Sequence, residues 1–314
     1  MAVELVTVGT VEGVEVHRAP VGGVVWDRGM LHHLAGAEVD WQMPVEEAPP
    51  LALAGRRLYA GLGDWLVCLD VRTGAEVWAE DCGAPVTALD AHPDGVDVLA
   101  GEQALLFDPR GAQGAAAAVG RVGSLLRRVG ALRYVGAEGG IWRLAPGERP
   151  ALLFACTCDA LHVRDGALQA LVQGPNGTVL VEDDGMPMVW PFVEAGAHHT
   201  APWGRTDWAV TPRGGVNGLW VVDRRVQTRW QVPLPGKTRA LAVVGSAIAV
   251  ALDDGGPALA LIHRDVSKPL LLALGSALDG APSGTAPLGL HADGPLLYLT
   301  HEGRTVILHV RETV

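Results

Sequence analysis

The chain is short of positive charge and of cysteine, and it has no long apolar run. Of its 314 residues, 24 are Lys or Arg and 35 are Asp or Glu, a formal net charge of −11. A protein that tracks a nucleic-acid backbone presents it with a basic surface, so this balance excludes nucleic acid as the expected partner. Four cysteines cannot frame a disulfide scaffold. Cys156-Thr157-Cys158 would place two thiols on one face of a strand, but only His162 lies near as a further ligand. Cys68, Cys82, Cys156 and Cys158 therefore read as reduced core residues, with a metal or redox site as the alternative. No stretch approaches the roughly 18 uninterrupted apolar residues of a membrane span, and Val243–Leu252 comes nearest. Met1–Gly9 lacks Lys and Arg and contains Glu4, which is not the basic start of a secretion signal. The expectation is a cytoplasmic protein with no membrane insertion.

Catalytic signatures are missing as well. Gly-x-Ser-x-Gly does not occur, and Pro235-Gly236-Lys237-Thr238 ends like a phosphate-binding loop but has Gln231 where the first Gly belongs. His301-Glu302 is not followed by the second His of a zinc-protease helix. The adjacent pairs His32-His33 and His198-His199 point to opposite faces if they lie on strands. Asp94, Asp97 and Asp108 do not match a calcium loop. No catalytic residue, metal site or cofactor is expected.

What the sequence does have is turns. With 41 Gly and 21 Pro it cannot be mostly helical, while at 49% hydrophobic residues it can bury a large core. Short apolar runs separated by Gly, Pro, Asp or Asn signal antiparallel strands. Leu51 to Pro85 contains four of them, Leu51–Ala54, Arg57–Leu62, Trp65–Val71 and Ala75–Glu80, the size of a propeller blade. Trp65, Trp142 and Trp220 are 77 and 78 residues apart; Trp41, Trp78, Trp190 and Trp230 are 37, 112 and 40 apart. Both sets fit multiples of 37 to 40, as if each filled one position in successive blades and packed between sheets. Gly120–Tyr134 has some helical spacing, but the period and its glycines favour strands.

Fourth strands fall near 37–42, 75–80, 114–119, 150–155, 186–192, 228–233 and 268–274. The last unit has only three strands, Leu288–Ala292, Pro295–Thr300 and Thr305–Arg311, and Val3–Val8 is free to supply the fourth. The expected fold is an all-β, single-domain β-propeller over residues 1–314, with eight four-stranded blades closed by pairing of the N- and C-terminal strands. Seven blades is the alternative.

Val67-Cys68-Leu69-Asp70-Val71-Arg72-Thr73-Gly74-Ala75-Glu76-Val77-Trp78 resembles the pyrroloquinoline-quinone-type propeller repeat, in which Leu-Asp, a Thr-Gly turn and a Trp follow in order. Leu34–Trp41 and Val222–Trp230 are weaker copies, and the chain is also similar to WD40-like bacterial propellers. The resemblance implies architecture. The quinone dehydrogenases of that family imply a cofactor, calcium and a disulfide between adjacent cysteines, and this chain has no Cys-Cys pair. The family's outer-membrane assembly lipoprotein implies eight blades without catalysis. Stand-alone propellers of bacterial systems that pair MoxR-type ATPases with von Willebrand A proteins are a third relation, on size and GC-rich composition.

One propeller face collects the loops between blades and those between second and third strands. Val193–Pro202, with His198 and His199, and Gly275–Pro287, with Asp279, read as long inter-blade loops. Trp203, Arg205, Asp207, Asn217, Asp253, Asp254, His301 and Glu302 are placed beside them, with Trp203 as an exposed anchor. Arg121, Arg127, Arg128 and Arg133 read as a solvated blade face, or else as a contact for an acidic partner. The functional expectation is a non-catalytic scaffold that binds a protein or peptide, in a multi-protein system with an ATPase. The alternative is a metal-assisted hydrolase or lyase using His198, His199, His301 and Asp253.

Overall fold

A computed structural model describes residues 2–14, 16, 20–36, 38–164, 166–174, 177–182, 187–189, 197–204, 207–212, 217–223, 227–253, 257–263, 270–273, 289–301 and 304–313. These residues form 31 strands, and no helix among them is long and apolar enough to cross a membrane. After β1 (Ala2–Glu12), the first sheet is β2 (Val24–Asp27), β3 (Met30–Ala35) and β4 (Glu38–Pro44). The second is β5 (Leu51–Ala54), β6 (Arg57–Leu62), β7 (Trp65–Asp70) and β8 (Glu76–Asp81). The third is β9 (Val86–His92), β10 (Gly95–Ala100), β11 (Gln103–Phe107) and β12 (Ala117–Ala118). The fourth is β13 (Gly123–Val129), β14 (Leu132–Ala137), β15 (Gly140–Leu144) and β16 (Ala151–Phe154). The fifth is β17 (Thr157–Arg164), β18 (Ala167–Gly174), β19 (Gly177–Glu182) and β20 (Pro187–Val189). The sixth is β21 (Ala197–Trp203), β22 (Asp207–Pro212), β23 (Gly218–Val222) and β24 (Thr228–Pro233). The seventh is β25 (Lys237–Val244), β26 (Ala247–Asp253), β27 (Pro257–His263) and β28 (Leu270–Ala273). The eighth is β29 (Gly289–Asp293), β30 (Leu296–His301) and β31 (Arg304–Thr313).

Every sheet is an antiparallel meander, and the eighth gains its outer strand from the other end of the chain. β1 pairs with β31 from Ala2↔Thr313 to Glu12↔Arg304, with a bulge between Thr7 and Gly9. Thus the expected terminal closure is present, and seven sheets have four strands and one has three among the described residues. Two buried hydroxyls secure the chain just after β1: Thr305 Oγ1 donates to the Val14 carbonyl (2.8 Å), and the Val16 amide donates to Thr300 Oγ1 (3.0 Å). Backbone groups here have no water to turn to, so the threonines meet their need.

The chain divides into two compact units, Met43–Val193 and Met1–Gln42 with Glu194–Val314, the boundary falling within β4. In the first, sheets two to five pack in chain order. Tyr59, Leu66 and Cys68 meet Val96, Val98 and Phe107. Leu99 and Ala104 meet Leu126 and Val135. Tyr134 and Ile141 meet Leu161, Leu168 and Val172. In the other unit, Leu219 and Val221 meet Ile248 and Val250, Ala249 and Leu259 meet Leu297 and Leu299, and Tyr298 and Ile307 meet Val25 and Leu34.

The Leu-Asp…Gly signature has a local cause. Asp70 Oδ1 accepts the Arg72 amide (3.0 Å) and closes the β7–β8 turn. Asp223 Oδ1 takes the Gln227 amide (3.0 Å) in the β23–β24 turn. Asp108, outside any copy of that signature, accepts the Arg110 and Ala112 amides (2.7 and 2.9 Å) between β11 and β12.

The tryptophan periods hold in part. Trp78 and Trp230 occupy matching positions, opposite Cys68 and Val221. Trp78 packs between Tyr59 and Phe107, and its indole N–H donates to the Pro109 carbonyl of the next sheet (3.1 Å). Trp142 and Trp220 also match, opposite Val135 and Val210. Trp65 does not: it sits two residues early in β7, beside the β6–β7 turn, and is 49% exposed. Replacing Trp78 by Ala is expected to cost about 3 kcal/mol, because the cavity faces two sheets. Trp65→Ala is expected to cost less than about 1 kcal/mol. Urea unfolding followed by circular dichroism checks both.

Candidate functional site

An antiparallel meander sorts its connections. The loop entering each sheet and the turn between its second and third strands share one edge, here the connection edge. The first-to-second and third-to-fourth turns share the opposite, hairpin edge. This sorting corrects the expected grouping of the loop residues. His198 and His199 lie in β21 rather than in a loop. The end of β21 at Trp203 is five residues, or roughly 16 Å, from His198. Trp203 and Asp207 face each other across the β21–β22 turn on the hairpin edge, away from the connections. Trp203 is also no exposed anchor: it is 4% exposed, packs edge-on against Trp230 at 5.5 Å, and donates its indole N–H to the Ser246 carbonyl (3.1 Å). Asp207 is buried 3.8 Å from Arg229.

The strand ends do bring His198, Asn217, Asp253 and His301 to the connection edge of the sixth, seventh and eighth sheets. The His199 amide donates to Thr211 Oγ1 (3.2 Å). Arg205, Asp254, Asp279 and Glu302 lie outside the described residues, as do the side chains of His198, Asp253 and His301. Among the described residues no three His, Cys, Asp or Glu side chains come together as a metal site. None of the four cysteines is in a disulfide, and burial pushes the Cys82 thiol up to about 11.

On the connection edge of the second and third sheets, sequence reasoning missed a pocket of about 570 Å³, within the usual range for ligand sites. The Pro44–Pro50 segment forms one wall, Gly61-Leu62-Gly63 and Pro85-Val86-Thr87 the others. Glycine at 61 is required by packing: a Cβ there would lie 2.5 Å from Val86 Cγ1 and 2.8 Å from Pro50 Cγ. Backbone bonds fix the walls, Gly61 amide to Pro50 carbonyl (3.1 Å) and Val86 amide to Gly63 carbonyl (2.8 Å). Exposed Glu46 and Glu47 give the rim negative charge. Trp65 pairs across the turn with Leu62, a wall residue, without itself lining the pocket. The exposed Trp and the proline-rich connection were readable signals; the fold was needed to join them.

Among the described residues, the hairpin edge of the third to fifth sheets carries a charge cluster that corrects the reading of the arginines as one solvated face. Arg121 is apart from the rest, its guanidinium 4.6 Å above the Trp142 ring. The other three gather around acids. Asp97, fully buried on β10, forms an ion pair with Arg133 Nε, lies 3.6 Å from Arg128 Nη1 and 3.3 Å from His92 Nε2. The two arginine contacts are ion pairs rather than aligned hydrogen bonds, and Arg128 Nη1 also lies 2.9 Å from His92 Nε2. Asp90 Oδ2 accepts the Arg128 amide (2.6 Å), and Arg127 stands 3.9 Å from Asp90 Oδ1. Burial, opposed by the Arg128 amide and Arg127, leaves the Asp90 carboxyl above its ordinary range. Burial and the Arg128 charge hold the His92 imidazole below its own. His162 on β17 is driven down to about 4, by burial first and then by the charges of Arg127 and Arg164. The sequence signal was a single acid inside Val96-Asp97-Val98-Leu99-Ala100, an otherwise apolar run.

Two expectations follow from this cluster. Asp97→Asn leaves the Arg133 and Arg128 charges without their buried counterion and should cost about 3 kcal/mol in urea unfolding. The unfolded chain protonates His162 near pH 6.5, whereas the folded one does so only near 4. The stability it confers is therefore complete above pH 6.5 and is lost as the pH falls toward 4. Between pH 6.5 and 4.5 the loss should be roughly 2 kcal/mol. His162→Gln should remove that part of the slope.

The sequence matches no family model and no curated protein. Solved structures do match. BamB from Moraxella catarrhalis superposes with a TM-score of 0.64 at 18% identity, covering 98% of this chain and 100% of that one. The computationally designed Ika8 protein gives 0.67 at 12%, covering 96% and 99%. Saccharomyces cerevisiae Sqt1 gives 0.66 at 11%, covering 98% and 99%. At these identities the likeness is one of fold, and it spans nearly the whole chain: eight successive antiparallel sheets with the terminal strands paired in the last make this an all-β protein of the β-propeller fold, of the architecture that pyrroloquinoline-quinone-like repeats build.

Proposed function

We propose that the protein is a binding scaffold for a protein or peptide partner, and that the pocket between the Pro44–Pro50 segment and the Gly61–Gly63 turn is its docking point. One observation carries the reading: a walled apolar pocket beside a half-exposed indole, Trp65, with Glu46 and Glu47 at the rim. Tryptophan is the residue type that most often anchors interfaces, and prolines offer a rigid wall that loses little entropy on binding. The acidic rim of a chain with net charge −11 selects a basic, apolar segment. Propeller structures such as Sqt1 and BamB support the scaffold reading through shared fold.

Selection of displayed 12-residue peptides against the purified chain should enrich sequences that pair Arg or Lys with a large apolar residue. Titration calorimetry should then show that Trp65→Ala and the double change Glu46→Lys, Glu47→Lys each weaken binding at least tenfold, about 1.4 kcal/mol. Peptides that bind both variants as tightly as the parent chain would place docking elsewhere.

A further inference from the structure

His92 on β9 stands at the joint between the third and fourth sheets, and it meets two ions of opposite sign. Its Nε2 lies 2.9 Å from Arg128 Nη1 on β13 and 3.3 Å from Asp97 Oδ2 on β10. Arg128 Nη1 is itself 3.6 Å from that carboxylate oxygen. The three side chains close a triangle at contact distance, and His92 is the one corner whose charge changes near neutral pH.

The chemistry of the groups fixes how the triangle is bonded. A guanidinium has donors and no acceptor, so at 2.9 Å Nε2 is the acceptor and carries no hydrogen. The imidazole hydrogen then sits on Nδ1. The Asp97 oxygens agree: neither accepts a hydrogen bond, although Nε2 is only 3.3 Å away. Protonation puts a hydrogen on Nε2, facing another donor. The contact with Arg128 then becomes repulsive, and Asp97 Oδ2 becomes the better partner. Neither move requires the core to repack. Arg128 keeps 27% of its side-chain exposure and His92 16%, so water reaches both, while the fully buried Asp97 stays paired with Arg133.

The other charges facing His92 are Asp94 in the β9–β10 turn and Asp90 two residues back on β9. Asp90 is occupied by the Arg128 amide and stands 3.9 Å from Arg127. Burial and the Arg128 charge outweigh these acids and hold the imidazole below its ordinary range.

We propose that His92 is a proton-operated latch between the third and fourth sheets. In the neutral state its Nε2 accepts from Arg128 and ties β9 to β13. In the charged state the imidazolium donates to Asp97 Oδ2 within its own sheet. The Arg128 guanidinium then turns toward water, its Nε still donating to the Gly130 carbonyl of its own turn (2.8 Å). Acid thus exchanges a side-chain tie between sheets for one within the third sheet, and it exposes a positive charge at the hairpin edge.

Long-range proton–nitrogen NMR of the labelled full chain tests this. Above pH 6.5 the His92 Nε2 should be unprotonated and Nδ1 should carry the hydrogen. The Arg128 Nη protons should be resolved there, unlike those of the exposed Arg72. On acidification, formation of the imidazolium and loss of the Arg128 signals should share one midpoint below pH 6.5. Arg128→Gln removes the opposing charge and should raise the His92 midpoint by about one unit. An amide oxygen accepts at every pH, so His92→Gln should keep the Arg128 signals constant over the same range. A hydrogen on Nε2 of the neutral imidazole overturns the proposal. So do Arg128 signals that pass through the His92 transition unmoved, an unshifted midpoint in Arg128→Gln, or a pH response of Arg128 that survives in His92→Gln. If Arg128→Gln does not fold, the tautomer and His92→Gln decide.

Discussion

A sheet of four short strands has two faces, and in water both must be covered before the sheet is worth forming. Most of this structure follows from that need. A second strand covered on both sides is buried without alternation, as Gly95–Ala100 are throughout β10 and Ala247–Leu252 on β26. Two facing layers at close spacing favour small side chains, which accounts for the Ala, Gly and Val content better than any local propensity. The outermost strand is covered less, and the large wedges Trp78 and Trp230 stand there to seal the gap between one sheet and the next.

The same need makes a charge within a second strand costly, and Asp97 is the exception that organises its surroundings. With no solvent at its carboxylate, it can persist only by drawing cations onto itself. Arg133 and Arg128 come from the neighbouring sheet, so the acid links the third and fourth sheets where apolar contact would otherwise suffice. A pair of apolar residues could cover that area as well. The ionic arrangement differs in fixing the directions of several long side chains at one edge.

The fold was legible because its signals repeat. Seven fourth strands and the terminal closure could be placed from short apolar runs, their period and the turn residues between them, since each turn has its own cause, such as the Asp70 carboxylate accepting the Arg72 amide. The site was less legible for a reason that also lies in the meander. Trp203 and His198 are close in sequence, yet one strand separates their edges, and an indole in a Pro-Trp-Gly segment resembles a loop residue until the next sheet covers it. Trp65 shows the reverse: its spacing matched the wedges, but a shift of two residues along β7 places it in water beside a turn. Spacing reports the period of the repeat and not the depth of a residue within it. Exposure depends on the neighbouring sheet, which the local sequence does not contain.

Antiparallel connectivity gives each sheet two edges of different chemistry. In the Met43–Val193 unit the connection edge is proline-rich, apolar and acid-rimmed, whereas the hairpin edge gathers arginine and histidine. Strands of four to eight residues hold these edges about 15–25 Å apart, beyond the screening length of roughly 8 Å at physiological salt. Each edge therefore sets its own local potential despite the overall acidity of the chain. Rigid sheets keep the two edges apart, and screening keeps either potential from cancelling the other.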